Sequence, residues 1–487
     1  MDYEAVIGLE THVQLGTKSK MWCGCANEFG APPNTHVCPV CLGLPGVLPV
    51  ANEEALRLTA LTGLLLNCAV SRSAKFDRKN YFYPDMPKNY QITQYAQPST
   101  MNGHVDFEFN GSIARVRITR AHLEEDVGKN FHFERNSGVD FNRAGVPLME
   151  IVSEPDITSA DMAYEYLNSL KDILVHGGVS DCDMEKGMVR CDVNVSVRPK
   201  GSKELGAKIE IKNMNSFSGV RKALEYEIRR QIEVLKGGGR LAQSTRRWDD
   251  VAGITEEMRT KEHAHDYRYF PDPDLMPFVP TDDWLAGVRK RVVELPLARK
   301  QRFMRDYQLT KEQAEFFKTD VEAGDYFEKS AAIVLAKNPQ DETRTRELRA
   351  VANTLIQQWR PRVLAKNARW TDVAVPGFSA LVAVTVPFYQ GRISSTGFQQ
   401  VITEMFDSGR SDVETIIAEK GLAQVSDTGA IEKFCDEVIA ANPGPVADFK
   451  NGKAAALNFL KGQVMKLSKG KANPALVGEI LEEKLKT

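Results

Sequence analysis

The sequence lacks the signatures of several common protein classes. It has no apolar run long enough to span a bilayer, and its first residues, 1–4, lack the basic character of a signal peptide. The absence of a Walker A sequence and of a Gly-x-Gly-x-x-Gly fingerprint after a strand argues against P-loop and Rossmann nucleotide sites. There is also no Gly-x-Ser-x-Gly nucleophile elbow, and no cysteine stands out as a nucleophile.

Neither a disulfide framework nor an excess of charge of one sign is present. Four of the eight cysteines fall in one short cluster, which fits a metal site in a reducing compartment. A net charge of −2 excludes a nucleic-acid footprint over the whole surface. The length of 487 residues predicts about three domains, and 42% hydrophobic residues are ordinary for a globular protein. We therefore expect a cytoplasmic globular chain.

The cysteine cluster is the most specific motif. Cys23 and Cys25 are followed, after twelve residues, by Cys38 and Cys41. This spacing is typical of zinc knuckles, in which four thiolates surround one tetrahedral Zn²⁺. Because four protein ligands close the coordination sphere, the predicted role is structural. The alternatives are unliganded thiols or a site in which His36 substitutes for one cysteine.

Polar side chains with mixed charge alternate with apolar ones in three predicted strands. Such two-faced patterning predicts an antiparallel sheet that is packed on one side and open to a ligand on the other. Carboxylates suit Mg²⁺ and cations suit phosphates, whereas the alternative is an ordinary solvated face. The side chains that share the open face are Glu10 and His12, then Arg190, Asp192 and Asn194, then Lys208, Glu210 and Lys212.

Two further segments allow both a functional and a structural interpretation. Glu124-Glu125-Asp126 and Glu150 are either metal ligands or the polar sides of a loop and a strand. Residues 75–91 interleave aromatic and basic side chains, a composition that suits either base stacking and phosphate pairing or a packed loop.

The chain divides by composition into a strand-rich part and two helical parts. We predict an α+β fold with a catalytic domain at 1–292, a helical domain at 293–405 and a helical tail domain at 406–487. The tail carries six lysines and no acid between 450 and 471, which indicates phosphate binding by that module. These lysines are Lys450, Lys453, Lys461, Lys466, Lys469 and Lys471.

Ten motifs, in one order along the whole chain, resemble a known family. They occupy residues 7–15, 38–46, 78–94, 120–128, 140–152, 189–199, 210–216, 268–274, 462–466 and 469–474. The chain is similar, end to end, to the B subunits of the aspartyl/glutamyl-tRNA amidotransferases. That resemblance implies a catalytic domain of the glutamine synthetase type and a helical tail that binds tRNA.

The resemblance also implies the reaction and its partners. The side-chain carboxylate of mischarged Glu-tRNA(Gln) or Asp-tRNA(Asn) is phosphorylated by ATP, and ammonia then displaces phosphate to give Gln-tRNA(Gln) or Asn-tRNA(Asn). An amidase A subunit supplies the ammonia through a channel, and a small C subunit wraps the pair. The cofactors implied are ATP, Mg²⁺ and structural Zn²⁺.

Site residues follow partly from the resemblance and partly from the strand pattern. The resemblance implies that Glu10, His12, Glu125 and Glu150 bind Mg²⁺. From the pattern we infer that Arg190, Lys208, Lys212 and Lys79 hold phosphates, and that Asp192 and Glu210 bind a second ion or orient these cations. We expect Lys453, Lys461, Lys466, Lys469 and Lys471 to contact the tRNA backbone.

Two other functions fit the residues less well. One is a stand-alone ATP-dependent carboxylate–amine ligase that uses free ammonia and a small acid, and the basic tail argues against it. The other is a non-catalytic, zinc-containing RNA-binding scaffold, and the charged faces of three strands argue against that.

Overall fold

A computed structural model describes residues 2–259, 264–337, 342–366, 369–370, 375–424, 428–468 and 470–486. The chain forms two compact units, Met1–Leu297 and Ala298–Thr487. The first unit combines strands and helices, and the second is helical. The finer division into three domains at 292/293 and 405/406 stays a prediction.

The first unit is built on a large, mostly antiparallel sheet, which confirms the predicted α+β class. Its strands are β1 Tyr3–Gln14, β2 Ala69–Val70, β3 Asp77–Asn80, β4 Tyr90–Thr93, β5 Thr100–Phe109, β6 Ser112–Glu125, β9 Pro147–Ser153, β10 Val189–Pro199, β11 Ile209–Met214, β12 Ser244–Asp249, β13 Ile254–Arg259 and β14 Phe270–Pro271. The remaining strands, β7 Lys129–His132 and β8 Ser137–Asp140, form a separate two-stranded sheet.

The strand order places the longest strands at the centre of the sheet. It runs β13-β12-β11-β10-β1-β9-β6-β4-β3-β14, and β5 pairs with β6 and β2. Neighbours are antiparallel except β11 and β12, which are parallel. Strand β1 therefore lies between β10 and β9, so both of its neighbours contribute side chains beside its own.

Helices cover one face of this sheet. They are α1 Glu53–Leu65, α2 Ala160–His176, α3 Phe217–Lys236 and α4 Asp282–Arg289. A 3-10 turn, Ala264–Tyr267, contributes Tyr267 to the other face. The hydroxyls of Ser159 and Ser216 cap α2 and α3. Alternate β1 residues such as Ile7 and Leu9 are buried with the apolar side chains of the helices. The opposite face of the sheet carries the polar side chains.

The second unit contains helices α5 to α16 and two separate hydrophobic clusters. The first cluster runs from Phe303 to Ile417 and the second from Ile431 to Leu485. Within the described ranges, we find no helix with the length and apolar character that crossing a membrane requires. The helices are α5 Pro296–Asp306, α6 Lys311–Thr319, α7 Val321–Lys337, α8 Glu342–Thr354, α9 Arg360–Ala365, α10 Phe378–Tyr389, α11 Ser395–Ser408, α12 Val413–Glu419, α13 Thr428–Ala441, α14 Pro443–Lys450, α15 Ala455–Leu467 and α16 Pro474–Lys486, and a π-helical turn, Leu355–Trp359, joins α8 to α9.

Candidate active site

The open face of the sheet forms a charged pocket of about 260 Å³ over strands β1, β6, β9, β10 and β11. Strand register brings its side chains together. His12 on β1 lies opposite Glu150 on β9, which in turn lies opposite His122 on β6. Glu10 lies opposite Asp192 on β10. Because side chains alternate across a strand, these residues all project from the same face.

One side of the pocket combines an imidazole with two carboxylates. Ligand atoms of His12, Glu124 and Glu150 lie within 4.8 Å of one another. His12 Nε2 is 3.5 Å from Glu124 Oε1, and His122 Nε2 is 3.3 Å from Glu150 Oε2. Carboxylate oxygens with one imidazole are a donor set that accommodates Mg²⁺ or Mn²⁺. The residues present therefore fit a divalent ion.

Glu124, and not the predicted Glu125, belongs to this group. Successive side chains on β6 point to opposite faces, so only one of the two glutamates can face the pocket. The Glu125 carboxylate instead accepts hydrogen bonds from the Ile92 backbone N–H at 2.8 Å and from Lys88 Nζ at 2.5 Å. The resemblance pointed to Glu125, whereas the alternation of β6 places Glu124 beside His12 and Glu150.

Neighbouring charges favour the ionised forms of Glu150 and Lys79. Burial raises the pKa of Glu150, but the neighbouring His122 and His12 outweigh it, so the pKa lies below its ordinary value. Lys79 also lines the pocket, with its ammonium 4.9 Å from the centre of the Tyr267 ring. Burial lowers the pKa of Lys79, yet the charges of Glu124 and Glu150 raise it overall.

A second acidic group occupies the other side of the pocket. Ligand atoms of Glu10, Asp192 and Glu210 lie within 4.8 Å of one another. Lys212 Nζ lies 3.1 Å from Asp192 and 2.9 Å from Glu210. Burial lowers the pKa of Lys212, but these two carboxylates raise it above the ordinary value. Asn194 Nδ2 donates to Glu10 Oε1 at 2.8 Å and fixes that side chain.

Two predicted cations lie outside the pocket lining. Arg190 is oriented by Asp126, since its Nη2 donates to Asp126 Oδ1 at 2.7 Å. Lys208 is exposed and lines an adjoining pocket together with Glu10. The structure therefore groups Lys79 and Lys212 with the carboxylates, and it places Arg190 and Lys208 beside that group.

Sequence reasoning missed an aromatic wall of the pocket. Tyr95 stacks on Tyr269 with ring centres 4.2 Å apart, and Tyr267 meets Tyr269 edge to face. The guanidinium of Arg120 lies 5.7 Å from the centre of the Tyr95 ring. Tyr267 and Tyr269 are two residues apart, and this spacing could have predicted that both side chains lie on one face. Nothing in the sequence near Tyr95 indicated that it stacks on Tyr269.

The four cysteines of the predicted knuckle converge. The Sγ atoms of Cys23, Cys25, Cys38 and Cys41 lie within 4.8 Å of one another, a donor set that fits Zn²⁺. A hydrogen bond from the Cys23 thiol, the Cys38 backbone N–H and the charge of Lys20 outweigh burial and lower the pKa of Cys41 to about 4. A metal ion would bind all four sulfurs as thiolates.

Models of known families match most of the chain. The GatB/GatE catalytic domain matches residues 5–286, and a domain described as GatB matches residues 341–485. The chain belongs to the GatB/GatE family.

Relatives at about half identity cover this family member from end to end. The B subunit of an aspartyl/glutamyl-tRNA(Asn/Gln) amidotransferase from Methylacidiphilum infernorum is 50% identical over 100% of this chain and 99% of its own length. Proteins of the same name from Thermoanaerobacter sp. and Carboxydothermus hydrogenoformans are 49% and 50% identical, over 100% and 99% of both chains respectively.

The basic run of this GatB/GatE chain lies in the second matched domain. Lys453, Lys466 and Lys471 are exposed, and Lys453 Nζ lies 2.8 Å from Asp448. Lys461 is half-buried on α15, and its ammonium lies against Gly478 of α16. Lys469 lies outside the described residues.

Proposed function

We propose that this chain is the B subunit of a glutamine-dependent tRNA amidotransferase. Its substrate is then Glu-tRNA(Gln) or Asp-tRNA(Asn), and it works with an amidase A subunit and a small C subunit. One observation supports this most strongly: two acidic groups and two lysines face each other across one pocket. The name shared by the full-length relatives agrees with this function.

The reaction is a phosphoryl transfer followed by an amidation. The substrate carboxylate attacks the γ-phosphorus of ATP, the bond to the ADP oxygen breaks, and an acyl phosphate forms. Ammonia attacks the acyl carbon, phosphate leaves with the bonding electron pair, and the nitrogen loses a proton to give the amide. Both steps concentrate negative charge on phosphate oxygens, so catalysis rests on positioning and on charge stabilisation.

The pocket residues supply those two requirements. His12, Glu124 and Glu150, with Glu10, Asp192 and Glu210 opposite, would hold Mg²⁺, which neutralises phosphate charge when bound. Lys79 and Lys212 direct their ammonium groups at the phosphates. The stacked tyrosines form an aromatic wall against which the terminal nucleoside of a tRNA can pack.

We assign the nucleoside of ATP to the adjoining pocket, whose volume is about 240 Å³. Glu10 and Val152 line both pockets, so a nucleotide lying across β1 would extend from one into the other. Leu205 gives the second pocket an apolar wall, and Asn194 and Lys208 add polar groups. Apolar walls with a few polar groups are typical of nucleoside sites.

Three parts of the molecule support this function from outside the pocket. We propose that Zn²⁺ bound to the four cysteines holds the loop at 23–41 as a structural insertion. An antiparallel sheet with one charged open face fits a catalytic domain of the glutamine synthetase type. The tail lysines suit sequence-tolerant contact with a tRNA backbone.

An amidation assay tests the proposal. The chain is co-expressed with its A and C partners and given ATP, Mg²⁺, glutamine and Glu-tRNA(Gln). We expect Gln-tRNA(Gln) from the wild type and from Glu154→Gln, because Glu154 bonds Thr119 outside the pocket lining. The Glu150→Gln variant, with tRNA binding intact, should give none. Amidation of free glutamate without tRNA would contradict the proposal.

A further inference from the structure

Lys20 is fully buried beside the cysteine cluster. Its side chain is 0% exposed, and its ammonium lies 3.6 Å from Cys41 Sγ and 3.2 Å from the Phe141 carbonyl oxygen. Among the described residues, its side-chain partners are these two groups, and neither is a carboxylate. Lys88, close by in the same unit, contrasts with it because Lys88 is paired with Glu125.

A buried ammonium without a counter-ion is costly. Removal of a cation from water is strongly unfavourable unless an anion and hydrogen-bond acceptors replace the solvent. The carbonyl of Phe141 accepts one hydrogen bond from Lys20 but carries no net charge. The Cys41 sulfur is the group in contact with Lys20, and a cysteine that ligates Zn²⁺ does so as a thiolate. The buried Lys20 ammonium therefore requires negative charge beside it, and the cysteine cluster is the neighbouring group that can carry that charge.

The cysteine cluster in turn requires positive charge or hydrogen-bond donors beside it when it binds zinc. Zn²⁺ with four thiolates carries a net charge of −2, and N–H donors to the sulfurs reduce that excess. Cys41 receives two such donors, the backbone N–H of Cys38 at 3.1 Å and the Lys20 ammonium. The Lys20 backbone is fixed as well, since its N–H donates to the Cys25 carbonyl at 3.0 Å.

We propose that Lys20 is a positioning residue for the zinc site, where its ammonium donates to the Cys41 thiolate, offsets the negative charge of the cluster and slows metal release. This inference rests on the proposed zinc ion. It assigns to Lys20 a role in metal retention that is separate from the phosphate-binding lysines of the pocket.

Metal release from the co-expressed complex tests the inference. Zinc content is measured by atomic emission, and release is followed with a chromophoric chelator. Lys20→Met keeps the length of the side chain without its charge, Lys20→Arg keeps the charge, and Lys18→Met removes an exposed neighbouring lysine. We expect Lys20→Met to release zinc at least about tenfold faster than the wild type. The release rates of Lys20→Arg and Lys18→Met should be close to the wild-type rate.

Cobalt spectroscopy provides a second measurement. In the Co²⁺-substituted complex, Lys20→Met should shift the thiolate-to-metal charge-transfer band, and Lys20→Arg should restore it. Equal release rates and equal spectra for Lys20→Met and the wild type would overturn the inference. So would a Lys20→Arg variant as defective as Lys20→Met, or failure of both to fold, because shape and not charge would then be required. Wild-type protein without zinc would overturn the zinc assignment itself.

Discussion

The two clusters of potential metal ligands in the first unit differ in chemistry and in setting. The four cysteines lie in a loop and offer only sulfur, and Cys41 contacts the buried Lys20. The pocket on the sheet offers carboxylates and an imidazole, carried by rigid strands, and open volume remains beside them. Four soft ligands close a coordination sphere, whereas oxygen ligands beside open volume leave positions for phosphates.

From this difference we propose that the cysteine cluster is structural and that the sheet pocket is catalytic. A closed thiolate site replaces the core that a loop of this length lacks. A catalytic ion must exchange water for substrate oxygens, so its ligands are few and their geometry is fixed by neighbouring strands.

Removal of one carboxylate from either acidic group should nearly abolish amidation. We expect Glu124→Gln and Asp192→Asn each to lower kcat on the order of 10³-fold, because charge stabilisation at the phosphates is lost. The measurement is the rate of Gln-tRNA(Gln) formation. Glu256→Gln, which breaks a surface pair with Arg247, is the matched control and should retain activity. A comparable loss of kcat in all three variants would contradict a catalytic role that is specific to the pocket carboxylates.

Loss of the thiolate site should affect stability more than chemistry. Cys38→Ser should eliminate bound zinc and lower the thermal midpoint by on the order of 5 °C, because metal binding contributes folding free energy. Zinc analysis and calorimetry measure this, with Cys435→Ser in the second unit as control. A zinc-free variant with unchanged stability would contradict the structural role.

Much of this architecture follows from local patterning. Alternation of polar and apolar residues identified β1 and β10 and the faces they share. The pattern did not show whether Glu124 or Glu125 faces the pocket, because that depends on how β6 pairs with β9 in the sheet. The partner of Arg190 depends on a contact with Asp126 that spans 64 residues. Long-range pairings of this kind are set by tertiary packing, which a strand pattern does not encode.

The Asp126 network should give a measurable pH dependence of stability. Burial raises the pKa of Asp126, but Arg190 and Arg143 outweigh it and hold the pKa below the ordinary 3.8. Its contribution is therefore complete above about pH 4 and is lost as the pH falls through the lower, folded value. We expect Asp126→Asn to lower the free energy of unfolding by about 3 kcal/mol at pH 7 and by less below pH 3.8, measured by urea unfolding. A pH-independent difference would contradict this.

Lys79 and Lys208 were both predicted to hold phosphates, but their substitution should affect ATP binding to different degrees. Lys79→Met should raise the KM for ATP about tenfold or more, because its ammonium lies in the pocket. Lys208→Met, on an exposed side chain of the adjoining pocket, should change it about twofold. Steady-state kinetics at saturating tRNA measure both. An equal effect of the two substitutions on the KM for ATP would indicate that Lys79 and Lys208 both hold phosphates, as the sequence predicted.

Tail substitutions should have the smallest single effects. Lys466→Ala or Lys471→Ala should weaken tRNA binding a few-fold and reduce the slope of log affinity against log salt by about one. Filter binding across a salt series measures this, with the exposed Lys311 of the second unit as control. Unchanged slopes would exclude these lysines from the tRNA interface.

Binding of Mn²⁺ tests most directly the claim that the sheet pocket is the catalytic metal site. Electron paramagnetic resonance titrations would compare the wild type with Glu124→Gln and Glu125→Gln, with and without ATP. We expect Glu124→Gln to weaken Mn²⁺ binding at least about tenfold and Glu125→Gln to bind Mn²⁺ nearly as tightly as the wild type. Tight Mn²⁺ binding by Glu124→Gln, together with its loss in Glu125→Gln, would show that Glu125 and not Glu124 holds the ion.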